Sequence, residues 1–299
     1  MKPQPLALCL VALAVGTSPA ATLAPDDPAV SSSLRLWLTN AAGNFNAGTW
    51  SDSSGNGNDA ATVGTVNVSA PVTFLSPAVN NAAATIDAAN SSAVAFSANT
   101  DDLLRAPAIN GGTGFSALTI FSVYNITNIG GNPNLTRPLG IGSVAGSQAN
   151  PGNHFNLSSD PSVRKDNGQI GAGSYSAAAV TGQSFIRISS MDTGGVDEWF
   201  NTTATLNPVL TNFATAFTTS NDDFYLGDLR GGNTPVPGFG AAVAPSDFEI
   251  SQVIVFNTSL TDQQVAGINE WIVTTVPEPS TTGLVAIAAA AGLLRRHRS

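Results

Sequence analysis

The side chains that could do chemistry in this sequence are few, and their spacing argues against most of it. The chain has four glutamates, Glu198, Glu249, Glu270 and Glu278. Cleaving a glycosidic bond needs two carboxyl groups about 5 to 9.5 Å apart, and no two of the four are near enough in sequence to share a strand face. Asp247 and Glu249 alternate and would point to one side of a strand, where a charged strand end in solvent is the expectation. Asp197 and Glu198 are adjacent and would face opposite ways. His154 is the single histidine before the C-terminal tail, beside a Gly/Asn-rich stretch, and reads as a loop or surface residue. No serine sits in a G-x-S-x-G turn. The run Gly140-Ile141-Gly142-Ser143-Val144-Ala145 mimics a dinucleotide fingerprint, but that motif must open a helix, and a loop-like stretch follows it. These absences lead to the expectation that the chain is not an enzyme.

Binding groups are easier to find. Asp52, Ser54 and Asn56 alternate before Gly57, as in the first half of a calcium loop, whose oxygens converge on a hard cation while the glycine makes the sharp turn. Position twelve is Val63 rather than glutamate. The two readings are a weak calcium site at Asp52, Ser54 and Asn56, with calcium the one cofactor expected, and a tight turn closed by side-chain hydrogen bonds. Trp50 and Tyr175 lie beside polar loops and are candidate saccharide contacts. Trp37, Trp199 and Trp271 fall in strand or helix patterns that favour a core.

The elements that must position these groups are strands. Of 299 residues, 42% are apolar and only 10% are charged, against a usual charged fraction of about 25%. Asn, Ser and Thr supply the solubility, and with 29 Gly and 18 Pro they favour strands and turns over a helical bundle. The net charge of −9 would repel phosphates, so no nucleic-acid partner is expected. Strand patterns fall at residues 34–38, 72–75, 93–96, 118–126, 155–158, 185–189, 196–200, 224–226 and 248–257. One helix follows, where Thr261 and Gln264 form a capping box and Val265, Ile268 and Ile272 share a face.

The two ends have their own logic. Residues 1–20 carry Lys2, an apolar stretch from Leu6 to Val15 and small residues at Ser18 and Ala20, the pattern of a secretory signal peptide. Cys9, the only cysteine, lies inside it. Removing Lys2, Glu278, Arg295, Arg296 and Arg298 leaves 19 acidic and 7 basic side chains between residues 21 and 276, a stretch expected to form one β domain. The tail, 277–299, reads Pro277-Glu278-Pro279-Ser280, then an apolar segment within 281–294, then Arg295-Arg296-His297-Arg298. As a helix, that segment reaches about 21 Å, short of the roughly 30 Å hydrocarbon core, and its basic cluster stays cytoplasmic. The order of Pro277, Glu278, Pro279, a short hydrophobic helix, and Arg295 and Arg296 resembles the PEP-CTERM sorting signal of Gram-negative bacteria. That resemblance implies export, transient anchoring in the inner membrane, and processing by an exosortase-type membrane protease.

Two further segments resemble the laminin-G-like, concanavalin A-like jelly-roll domains. The first is Leu34-Arg35-Leu36-Trp37-Leu38 followed by Trp50-Ser51-Asp52-Ser53-Ser54-Gly55-Asn56-Gly57-Asn58-Asp59. The second runs from Phe248 to Asn257 and on through Leu260-Thr261-Asp262 into the helix. Thr39 and Gln252 stand where the family often carries Asp and Glu. The resemblance implies an all-β, concanavalin A-like jelly-roll β-sandwich with one short C-terminal helix, ahead of the short tail helix. It also implies carbohydrate or extracellular-protein ligands, exopolysaccharide among them. The expectation is an exported cell-surface or matrix protein acting as a non-catalytic binding module. The alternatives are a passive structural component and a glycoside hydrolase with displaced carboxylates.

Overall fold

The computed structural model describes residues 21–39, 41, 44–46, 48–62, 73–75, 93–96, 103–128, 138–142, 154–157, 162–165, 168–172, 184–201, 206, 208–213, 219, 222–227 and 247–275. The expected leader, the sorting residues Pro277, Glu278, Pro279, Arg295 and Arg296, the tail helix and Tyr175 lie outside the described residues.

Alternating apolar residues give two antiparallel sheets. The first contains β1 (Leu34–Leu38), β5 (Thr73–Leu75), β6 (Ala93–Phe96), β8 (Leu118–Asn128), β13 (Ser184–Asp192), β14 (Gly195–Asn201), β15 (Pro208–Phe213) and β17 (Asp247–Phe256), in the order β15-β14-β13-β8-β17-β6-β5. β1 also pairs with β17, along residues Val253 to Phe256, while β6 takes residues Phe248 to Ile250 of the same edge. The second sheet contains β2 (Phe45–Asn46), β3 (Thr49–Trp50), β4 (Ala60–Thr62), β7 (Leu103–Ala106), β9 (Leu139–Gly142), β10 (His154–Leu157), β11 (Ser162–Lys165), β12 (Gly168–Ala172) and β16 (Phe224–Gly227), in the order β12-β11-β10-β9-β16-β7-β4-β3-β2. The expected all-β jelly-roll sandwich with one C-terminal helix is the fold the chain adopts.

Side chains leave opposite faces of a strand in turn, so the first sheet feeds two cores. Leu118 and Ile120 of β8, and Val253 and Val255 of β17, face the second sheet and meet Leu104, Leu139, Phe224 and Leu226. Phe121, Val123, Ile254 and Phe256 face the other way, against Val265, Ile268 and Ile272 of helix α1 (Asp262–Thr275). Two β-bulges keep this parity correct. In β17 the register with β8 shifts between Ile250 and Gln252, which makes Ser251 the extra residue and puts Ile250 and Val253 on the same face. In β1 the shift falls between Leu34 and Leu36, so Arg35 is the extra residue, and the two leucines enter different cores. A bulge re-aims the side chain it carries, and Arg35 is the consequence that matters for the site.

The expected capping box is present. Gln264 N–H donates to Thr261 Oγ1 at 3.3 Å, and Thr261 N–H donates to Gln264 Oε1 at 3.0 Å. An N-terminal segment closes over the helix, with Leu23 N–H donating to Gly267 O at 3.0 Å. The glycine is required there, since a Cβ at position 267 would lie 2.8 Å from the Ala21 carbonyl oxygen.

Candidate functional site

A groove of about 370 Å³ opens where β1 begins, lined by Arg35, Asn56, Asn58, Ala108, Ile109, Asn110 and Gly111. Three pieces of chain build it: the β1 bulge, the loop 51–59 between β3 and β4, and the loop 107–117 that crosses from β7 in one sheet to β8 in the other. Its walls are polar and, among the described residues, carry no aromatic ring.

The first wall is tied down by Asp52. Its Oδ1 accepts Trp37 N–H and Ser54 N–H, each at 2.9 Å, and its Oδ2 accepts Ser54 Oγ–H at 2.7 Å and Asn58 N–H at 3.0 Å. Asn56 turns its amide nitrogen onto Leu34 O and Ser54 Oγ, and Asn58 turns its own onto Arg35 O and Ile109 O. Gly55 and Gly57 adopt positive φ of 83° and 74°, which only a residue without Cβ does cheaply. The three residues expected to hold calcium are thus engaged in a turn closed by side-chain hydrogen bonds. Both Asp52 oxygens serve protein donors that a cation would have to displace.

The second wall is tied down by two carboxylates more than 100 residues away. Asp222 Oδ2 accepts Asn110 N–H and Gly112 N–H, and Asp223 Oδ1 accepts Ala108 N–H at 2.9 Å. Ala108 sits at φ 50°, a left-handed conformation that an alanine holds only where its surroundings impose it. Asp223 also pairs with Arg105 and accepts the Tyr225 hydroxyl at 3.4 Å. Burial raises the Tyr225 phenol well above its ordinary value, the Asp223 charge adds to that, and Arg105 opposes it. Asp222 is 1% exposed, and among the described residues its Oδ1 has no hydrogen-bond partner.

Arg35 joins the walls. Its Nε donates to Asn110 Oδ1 at 3.1 Å, and its Nη1 donates to Ser32 O and Leu34 O at 3.0 and 2.8 Å. Asn110 Oδ1 also accepts Asn257 Nδ2–H at 2.9 Å, which links the groove to the end of β17.

Several expectations need correction. Trp50 is 1% exposed, lies in the core between the sheets and donates its indole N–H to Thr39 O at 2.9 Å, so its ring is not presented to a ligand. Glu249 is 6% exposed and not a solvated strand end, because β6 and β8 flank its strand on both sides. Glu198 is fully buried between the sheets, on the opposite face of its strand from Asp197 as expected. There it pairs with Arg187 at 2.6 Å and accepts the Ser189 hydroxyl at 2.9 Å. The residues that sequence reasoning missed are Arg35, Asn58, Asn110, Asp222 and Asp223. The Asn-Gly-Gly run after Ile109 and the Asp pair before β16 were the local marks of the last three; Arg35 and Asn58 lay inside the first jelly-roll-like segment without being singled out.

No protein-family model and no curated protein sequence matches the chain. Solved structures do. An arabinofuranosidase complexed with an arabinofuranosyl xylobiose has a TM-score of 0.51 at 15% identity, over 75% of this chain and 50% of that one. A Trypanosoma rangeli sialidase in complex with sialic acid has a TM-score of 0.49 at 13% identity, over 82% and 34%. The binding domain of a paraclostridial mosquitocidal protein has 0.47 at 10% identity, over 79% and 52%. The chain therefore spans between about a third and a half of the length of these structures. The arabinofuranosidase likeness supports the β-sandwich fold, and it corrects the expectation that the chain is not an enzyme. The same sandwich occurs within an enzyme chain, so the missing glutamate pair is no ground for excluding catalysis.

Proposed function

We propose that this chain is an exported bacterial surface or matrix protein whose jelly-roll sandwich engages carbohydrate in the groove beside Arg35. A PEP-CTERM-type tail at Pro277, Glu278 and Pro279 would be processed by an exosortase-type protease at the inner membrane. The observation that carries the binding reading is the groove itself: a guanidinium and two amide side chains fixed in place by loops whose backbone N–H groups are held by Asp52, Asp222 and Asp223. Polar groups ordered before the ligand arrives lose little conformational entropy on binding, which suits a saccharide, whose hydroxyls give modest energy each. The likeness to an arabinofuranosidase crystallised with an arabinofuranosyl xylobiose supports the same ligand class.

A glycan array probed with the full chain tests the binding reading. Signal on saccharides that Arg35→Ala removes supports it; no signal, or signal indifferent to Arg35, removes it. Sorting is tested separately by replacing Pro277, Glu278 and Pro279 with alanine in the producing bacterium. Retention in the inner membrane is expected, and unchanged release to the surface would refute the sorting reading.

A further inference from the structure

We infer that the groove recognises a neutral sugar residue through a pair of neighbouring hydroxyls. This rests on the carbohydrate reading above and narrows it to one chemistry.

The inference follows from which atoms the protein has already used. Asn58 Nδ2 faces two carbonyl oxygens, Arg35 O at 2.7 Å and Ile109 O at 3.2 Å, so its amide is fixed with nitrogen inward and Oδ1 as its remaining functional atom. Asn56 is fixed in the same sense by Leu34 O at 3.0 Å and Ser54 Oγ at 2.9 Å. Among the described residues, no protein donor reaches either Oδ1. Arg35 commits Nε and Nη1 to protein oxygens, and no acceptor among the described residues reaches Nη2. The groove therefore offers a ligand two amide acceptors and the two N–H donors of one guanidinium nitrogen, on three residues that line the same space.

That set matches a vicinal diol. Each hydroxyl donates one hydrogen and accepts through its lone pairs, so two neighbouring hydroxyls can donate to Asn56 and Asn58 and accept from Arg35 together. A carboxylate or sulfate only accepts, and would place its charge against two amide oxygens. The surroundings also disfavour an anion. Asp52 stands behind one wall and Asp222 and Asp223 behind the other, with Arg105 neutralising one of them. An ammonium would leave Arg35 facing a like charge. A neutral polyol is the ligand that satisfies all three groups.

The test is a binding titration of the full chain, followed by saturation-transfer NMR. The probes are neutral gluco-, manno- and galacto-oligosaccharides, the same oligosaccharides after periodate cleavage and borohydride reduction, and oligogalacturonate. Periodate cuts the carbon–carbon bond of vicinal diols and removes the proposed determinant while leaving a glycan-derived chain. At least one neutral oligosaccharide should bind, with about a tenfold or greater loss after periodate treatment and weaker binding of oligogalacturonate. Arg35→Lys should weaken binding because it keeps the charge, but one ammonium cannot hold Asn110, Ser32 and Leu34 and also present donors where Nη2 stands. Asn56→Leu should do the same; because it also removes the hydrogen bonds to Leu34 O and Ser54 Oγ, its melting temperature is measured alongside and binding is compared at a temperature where both proteins are folded. Periodate-treated ligand binding as well as intact ligand, or oligogalacturonate binding more tightly than every neutral probe, overturns the diol inference and leaves the carbohydrate reading standing. Failure of every saccharide to bind removes both.

Discussion

At the groove end of the sandwich, Asp52, Asp222 and Asp223 accept N–H groups of the loop backbone. Between the sheets, Glu198 faces a guanidinium instead, with Arg187 and Glu198 each only 1% exposed at the side chain. The two regions use the same functional group for different ends. A loop has no ladder to satisfy its N–H groups, so a carboxylate that accepts several of them at once fixes a conformation, as at Ala108. A strand has its backbone bonds already, and a carboxylate there must find a charge partner or be expelled. Carboxylates at the loops shape a surface, whereas Glu198 in the sheet holds a cross-strand pair together. If this division is right, variants in the two regions should differ in size of effect and in what they change.

The largest effect belongs to the buried pair. Glu198→Ala leaves Arg187 charged between the sheets, and about 3 to 5 kcal/mol of stability should be lost, read as a lower midpoint in urea unfolding. Replacing both, Arg187→Met with Glu198→Leu, should restore most of it, because two apolar groups need no partner. A double variant as unstable as the single would mean that the pair is held by more than its mutual charge, and the contrast with the loops would weaken.

Next is Asp52→Ala, which strips the acceptor from four donors at once. A cost of about 1 to 3 kcal/mol is expected, with amide hydrogen exchange faster in residues 51–59 and unchanged in β8 and β13. Loss of protection across the first sheet would show instead that the turn is part of the global fold.

How much of this could be read from sequence follows the same line. β17 and β8 carry their faces in their apolar alternation, and Thr261 with Gln264 announces the helix in four residues. β9 was hidden, since Leu-Gly-Ile-Gly mimics a loop motif until β10 and β16 are found on either side of it. Arg35 looks like an ordinary outward residue between two inward leucines; it is a bulge only because of where β17 pairs. The groove's second wall depends on hydrogen bonds spanning 110 to 115 residues, and no local pattern encodes those. The turn at Asp52 was legible as a turn because the donors to its carboxylate, Trp37 apart, lie within six residues.

A smaller effect is expected at Tyr225, where the loop carboxylates meet the second sheet. Tyr225→Phe keeps the ring and loses one long hydrogen bond to Asp223, costing about 0.5 to 1.5 kcal/mol. Its phenol is held above the ordinary value by burial first and by the Asp223 charge second. The folded state therefore binds that proton more tightly than the unfolded chain. This contribution is complete below a pH of about 10 and is lost as pH rises beyond it. Tyr225→Phe should flatten the alkaline fall in stability; an identical alkaline limb in the variant would assign that fall to other groups.

The smallest effect separates the turn from a metal loop. A cation that binds only the folded chain adds RT ln(1 + [L]/Kd), about 2.7 kcal/mol at a hundredfold excess over Kd. Calcium would gain that only by displacing two backbone N–H groups from Asp52 Oδ1, and a hydroxyl and a further N–H from Oδ2. Each displaced donor would be left without its acceptor. The melting temperature should therefore be the same in millimolar calcium and in chelator. A rise of several degrees that disappears in Asp52→Asn would show that the loop opens to take the ion, and Asp52 would then belong with the ligands of a cation rather than with the carboxylates that hold a backbone.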